Sequence, residues 1–278
     1  MPAKNQKLCL RPYPELYIIY NTFMKICRFI NNLEIKTGVL EDKRIYLFEN
    51  NRTSSVFFDL DKVELLPPVV PSKIVCVGRN YADHAAELGN EVPKEPLLFL
   101  KAPSAIITNN ESILLPPQSI QVEHEGELAV IIGRSCRNLA DSDNPFEYIL
   151  GYSIVNDVTA RDLQRQDVQF TRAKSFDTFC PIASFIETDL ETDDISLTSK
   201  VNGITKQNGR TSQMVFSLEF LVKYISRQMT LNAGDIIATG TPSGVSKLDA
   251  GDVCEIEIEG IGTLSNPVTK YFSDEFIE

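Results

Sequence analysis

Val122-Glu123-His124-Glu125-Gly126-Glu127-Leu128-Ala129-Val130-Ile131-Ile132-Gly133 reads as a strand that carries two glutamates one residue apart. Side chains two positions apart on a strand share a face, so Glu125 and Glu127 can reach one ion. A second apolar run ends at Asp157, about thirty residues on, and a neighbouring strand would bring that acid to the same place. Three carboxylates without a nearby thiol or imidazole cluster suit a hard cation such as Mg2+ or Mn2+. Against this stands a solvated strand face, the ordinary meaning of an isolated Glu-x-Glu, which Glu123 in the same alternation fits.

The chain has two histidines. His84 lies in Gly78-Arg79-Asn80-Tyr81-Ala82-Asp83-His84-Ala85-Ala86-Glu87, directly after the apolar strand Ile74 to Val77, and this segment reads as strand, turn and short helix stopped by Gly89-Asn90. His84 and Glu87 are three apart and share a helix face, so the carboxylate can orient the imidazole as a general base. The plainer reading is an incidental surface pair. His124 alternates away from the two glutamates and is expected to pack on the opposite face of its strand.

Together with Glu125-Gly126-Glu127-Leu128-Ala129, Asn156-Asp157-Val158-Thr159-Ala160-Arg161-Asp162, Ala173-Lys174-Ser175-Phe176 and Thr239-Gly240-Thr241-Pro242-Ser243-Gly244-Val245, the His84 segment resembles the fumarylacetoacetate hydrolase family in order and spacing. The resemblance runs from about Pro71 to Val268 and is nearest the acylpyruvate hydrolase and oxaloacetate decarboxylase branch. It implies a mainly β fold, a mixed β-sandwich roll with few helices, and a homodimer. It also implies that Lys174 is the family lysine, placing a positive charge on an enolate or carboxylate, and that Gln164 faces the substrate. Thr241, after Gly240 at a strand end, offers a hydroxyl and backbone amides to a substrate carboxylate; an ordinary turn is the alternative. Arg161 and Asp162 are expected to pair structurally, and Lys101 and Ser104 to be loop architecture.

The chemistry that follows is hydrolysis of acylpyruvates such as acetylpyruvate or fumarylpyruvate. The ion at Glu125, Glu127 and Asp157 polarises the 2-oxo acid, His84 activates water for attack on the farther carbonyl, and a pyruvate enolate leaves. The alternative is an oxaloacetate decarboxylase or a 2-hydroxyhepta-2,4-diene-1,7-dioate-type isomerase on the same site. A metal-binding scaffold without turnover is a third reading, weakened because every polar part is present.

Composition adds boundaries. Lys plus Arg is 27 against 38 Asp plus Glu, a net charge of −11, which argues against nucleic acid or an anionic membrane as the main partner and leaves a small 2-oxo acid substrate. Six scattered cysteines without a Cys-x-x-Cys spacing read as reduced thiols of a cytoplasmic protein. The first thirty residues hold Lys4, Lys7, Arg11, Lys25 and Arg28 against Glu15, but their longest apolar run, Leu16 to Tyr20, is too short for a secretory signal. Residues 1–23 are therefore expected to be a dispensable, disordered extension. Residues 24–70, with short alternating runs at Lys25 to Ile30, Ile35 to Glu41, Arg44 to Phe48 and Val56 to Leu60, read as a small β domain, and 71–278 as the catalytic domain beyond Pro67, Pro68 and Pro71. Asn202-Gly203 marks a hairpin, and Ser217 caps a helix with Leu218, Leu221, Val222 and Ile225 on one face.

Overall fold

The computed structural model describes residues 24–50 and 52–271; the expected extension 1–23 lies outside them. The strand Gly126–Ile132 is central. It pairs antiparallel with Ile149–Asn156 on one side and Ile236–Ala238 on the other, inside an eleven-stranded sheet. All seven of its residues are buried, which is why it reads as a nearly unbroken apolar run. Leu128, Val130 and Ile132 pack against Leu197, Ile256, Ile258 and Leu264 of a five-stranded sheet and against Leu221, Val222 and Ile225 of the helix Leu218–Gln228. Ala129 and Ile131 enter the core on the other face with Ile74, Cys76, Ile113 and Phe179. The expected mainly β sandwich is therefore built by period-2 alternation across one strand.

The strands Lys25–Asn31, Glu34–Glu41, Arg44–Glu49 and Arg52–Asp59 extend the large sheet, joined to it where Lys25 pairs with Glu187. They keep a small core of their own around Cys27, Phe29 and Ile45. At the hairpin between Ser196–Val201 and Ile204–Arg210, Asn202 and Gly203 take φ of 52° and 75°, as a two-residue turn of this type requires. Ser217 Oγ accepts from the Phe220 N–H at 3.3 Å and caps its helix. The short helices Arg161–Gln166 and Thr171–Lys174 were not expected, since neither carries an apolar period.

Five cysteines are described, all free and buried. Burial pushes the thiols of Cys180 and Cys254 up to about 12, so they are inert rather than nucleophilic. Among the described residues no helix is long and apolar enough to cross a membrane.

Candidate active site

The expected strand from Val122 to Gly133 is broken at Glu125, which sits between Val122–His124 and Gly126–Ile132. The Glu125 N–H donates to the side-chain Oδ1 of Asn156 at 3.0 Å instead of to a backbone carbonyl of the neighbouring strand, which interrupts the ladder. The next contact places the third acid. Gly126 lies opposite Asn156, and the Asp157 N–H donates to the Glu125 carbonyl at 2.9 Å. Glu125, Glu127 and Asp157 then offer oxygens that all lie within 4.8 Å of one another, and all three residues are buried.

Three cations surround these acids. Lys174 Nζ lies 2.8 Å from Glu125 Oε2 and 2.5 Å from Asp157 Oδ2, and Lys101 Nζ donates to Asp157 Oδ1 at 2.7 Å. Arg161 spans Glu125 Oε1 and Glu123 Oε2, the latter at 2.7 Å from Nε, while its NH1 donates to Gln164 Oε1 at 2.6 Å. Burial pushes the Glu125 carboxyl up, but the charges of Lys174 and then Arg161 overcome it and hold the group well below the usual carboxylate range. The Lys174 ammonium, disfavoured by burial but flanked by Asp157 and Glu125, is pushed up to about 12.

Glu127 is the exception. Among the described residues it has no ion-pair partner; its Oε2 accepts only from the Gly240 N–H at 2.8 Å. Burial, then the charges of Asp157 and Glu125, push its carboxyl well above the ordinary value. Four clustered acids (Glu123, Glu125, Glu127, Asp157) thus face three cations (Lys101, Arg161, Lys174), and the unmatched charge is on a residue of the triad. An all-oxygen donor set with one uncompensated buried carboxylate fits a hard divalent cation.

The helix Ala82–Glu87 borders the same cavity as this cluster. His84 Nδ1 lies 3.3 Å from Glu87 Oε2, and Glu87 also accepts from the Gly244 N–H at 3.0 and 3.2 Å. Nδ1 is engaged, and Nε2 has no partner among the described residues. His84, Glu87, Glu125, Glu127, Asp157, Lys174, Gln164 and Thr241 all line one cavity of about 460 Å³. Gly240 does not line it. Its contribution is the N–H on Glu127, at a φ of +100° where a Cβ would stand 2.6 Å from that of Asn80.

Several expectations need correction. The Thr241 hydroxyl is already engaged: it donates to the Gly126 carbonyl at 2.8 Å and accepts from Gln207 Nε2 at 2.6 Å, so only the backbone at that residue remains to meet a ligand. Arg161 does not pair with Asp162, whose carboxylate instead accepts from Ser119 Oγ at 2.5 Å and the Ile120 N–H at 2.9 Å. Glu123 is not on a solvated face; it is buried against Arg161. Lys101 is not loop architecture but ends the strand Leu97–Lys101, 2% exposed, with its ammonium on Asp157. A lysine closing an apolar strand was the available signal. His124 does pack away from the acids, bonding the Ser246 carbonyl and Ser199 Oγ.

The fumarylacetoacetate (FAA) hydrolase C-terminal family matches residues 73–269. An uncharacterized protein of Archaeoglobus fulgidus is 48% identical over 244 residues, 87% of this chain and 95% of that one. The oxaloacetate tautomerase YisK of Bacillus subtilis is 42% identical over 235 residues, covering 79% of this chain and 77% of its own. Among solved structures, 5-carboxymethyl-2-hydroxymuconate delta-isomerase from Mycobacterium smegmatis superposes with a TM-score of 0.82 at 41% identity, covering 89% of this chain and 100% of that one. With the fold, the motifs and the acidic triad in register, the chain belongs to the fumarylacetoacetate hydrolase family of enzymes.

Proposed function

We propose that this enzyme moves a proton within 2-oxo acids, interconverting keto and enol forms. The observation that carries the reading is His84: its Nδ1 is held by Glu87 at 3.3 Å, and it lines the same cavity as Glu125, Glu127 and Asp157. With Nδ1 oriented toward the carboxylate, Nε2 is the atom free to take a proton. The C3–H bond of the 2-oxo acid breaks as an N–H bond forms at Nε2, and release of that proton from Nε2 to the enolate oxygen completes the enol and restores the neutral imidazole. Lys174 keeps a full positive charge beside that oxygen, because Asp157 and Glu125 stabilise its ammonium. Glu125, Glu127 and Asp157 would hold Mg2+ or Mn2+, and a bound dication supplies the Lewis acidity that stabilises enolate charge by several kcal/mol. The names of the similar tautomerase and isomerase support proton transfer.

Hydrolytic carbon–carbon cleavage of acylpyruvates is the second reading, favoured by the same His84–Glu87 pair, which is suited to deprotonating water. Both readings are tested with purified protein and added Mg2+ or Mn2+. Ketonisation of enol-oxaloacetate is followed by absorbance, and pyruvate release from acetylpyruvate and fumarylpyruvate by a coupled assay. Accelerated ketonisation is expected. Pyruvate release without any effect on oxaloacetate would replace proton transfer by hydrolysis.

A further inference from the structure

Residues 240–246 touch both halves of the site. At one end the Gly240 N–H donates to Glu127 Oε2 at 2.8 Å and the Thr241 hydroxyl to the Gly126 carbonyl at 2.8 Å. Further along, the Gly244 N–H donates to both oxygens of Glu87, at 3.0 and 3.2 Å. The backbone there takes a φ of +99° and is pressed against the second sheet, for a Cβ on Gly244 would stand 2.1 Å from the Lys206 carbonyl oxygen. The far end of the loop is left to His124.

His124 is fully buried and directly precedes Glu125 in the chain. Its Nδ1 lies 3.0 Å from the Ser246 carbonyl oxygen and 3.4 Å from Ser246 Oγ, and its Nε2 lies 2.8 Å from Ser199 Oγ. A carbonyl only accepts, so Nδ1 carries the hydrogen, and Nε2 of the neutral ring accepts from the Ser199 hydroxyl. Ser199 Oγ in turn accepts from the Gln207 N–H at 3.0 Å. One ring thus joins its own strand Val122–His124, the end of the loop and the second sheet. Backbone pairing alone is a weaker tie, since the strand Ser246–Lys247 has two residues, fewer than strands usually have.

We propose that His124 is a positioning residue for the His84–Glu87 pair: by fixing Ser246 it holds the Gly244 N–H where Glu87 meets it, and so sets the helix Ala82–Glu87 against the site. This rests on the reading that His84 is the base. The path is short, because Gly244 and Ser246 are two residues apart in a loop whose other end is already fastened to Gly126 and Glu127. Displacing a reacting group by about 1 Å can cost about 10²-fold in rate, so a slackened loop is felt in turnover.

Two substitutions divide the bonds of the ring. His124→Asn puts an amide nitrogen near the place of Nδ1 and keeps the donor to Ser246. His124→Gln puts an amide oxygen near the place of Nε2, which keeps the acceptor for Ser199 and loses that donor. Both leave a buried group unpaired, so both should lower the urea midpoint. Only His124→Gln should speed hydrogen exchange of residues 82–88, by about tenfold or more, and lower kcat for ketonisation by about 10–100-fold with KM within about twofold of the parent. His124→Phe, which fills the same space without either bond, should follow His124→Gln. In a Glu87→Ala background, His124→Gln should leave that exchange unchanged, since the contact it acts through is gone. Equal exchange in His124→Asn and His124→Gln would overturn the proposal, as would effects that add to those of Glu87→Ala. Exchange is read without turnover, so the two readings fail separately: full activity in His84→Ala removes the base, whereas the exchange series decides the role of His124 by itself.

Discussion

The Gly126 N–H donates to Gln207 Oε1 at 2.9 Å, which ties the peptide between two triad glutamates to the opposite sheet. Gln207 is fully buried and spends its amide hydrogens on Thr241 Oγ1 at 2.6 Å and the Pro242 carbonyl at 2.7 Å. Thr241 in turn donates to the Gly126 carbonyl, so both backbone polar groups of Gly126, one in each of the two peptides that join the glutamates, are clamped. Gln207→Ala leaves these groups buried without partners and should lower stability by about 1–3 kcal/mol. Loosening the peptide should also weaken Mn2+ binding by about 10–100-fold, as for other groups that orient metal ligands. Calorimetry or Mn2+ electron paramagnetic resonance reads this directly; an unchanged dissociation constant would mean that strand pairing alone holds the two glutamates.

Asp157 is the acid on which two lysines converge, Lys101 at 2.7 Å and Lys174 at 2.5 Å. Asp157→Asn should therefore remove metal binding and activity together, and should also cost about 3–5 kcal/mol of stability, because two buried ammonium groups lose a charged partner. Urea unfolding and metal titration separate the effects. Normal metal stoichiometry in this variant would remove Asp157 from the ligand set.

The triad was readable because strand alternation aligns Glu125 with Glu127, and because Asp157 follows an apolar run that neighbours theirs. His84 and Glu87 were readable because a helix makes positions three apart meet. The partners of these groups were not readable. Arg161 reaches Glu123 through the pairing of Thr159–Ala160 with Val122–His124, and Lys101 arrives from a strand separated from Gly126–Ile132 by two others. Gln207 comes from the second sheet altogether. Such contacts depend on strand order and register, which local periodicity does not encode.

Glu127 makes metal-free stability depend on pH. Burial, then the charges of Asp157 and Glu125, hold its carboxyl well above the ordinary 4.5, and Lys174 with the Gly240 N–H offsets only part of this. An acid whose folded pKa is raised binds its proton more tightly when folded. Its contribution is complete below the unfolded pKa and is lost as pH rises toward the folded value, at up to about 1.4 kcal/mol per pH unit. Glu127→Gln keeps the neutral form at every pH. In chelator, the variant should match the parent near pH 4 and exceed it in urea midpoint at pH 7. Adding Mg2+ or Mn2+ should close the gap by stabilising only the parent. A gap that is constant with pH, or that widens on acidification, would contradict the assignment.

Glu87 does two things at once, facing His84 Nδ1 at 3.3 Å and accepting from the Gly244 N–H at 3.0 Å. The first orients the imidazole; the second fastens the helix Ala82–Glu87 to the loop after Thr241. Two substitutions separate these roles. Glu87→Gln keeps an acceptor for Gly244 but removes the charge beside the imidazole, whereas Glu87→Ala removes both. His84→Ala should lower turnover by about 10²–10⁴-fold, the usual contribution of a positioned acid or base. Glu87→Gln should lower turnover with hydrogen exchange of residues 82–88 close to the parent, and Glu87→Ala should lower turnover and speed that exchange as well. The chain contains no tryptophan, so Leu88→Trp gives an independent fluorescence report of helix position in the same series. Identical exchange in Glu87→Gln and Glu87→Ala would show that Gly244 does not hold the helix in place, leaving Glu87 with the single task of orienting His84.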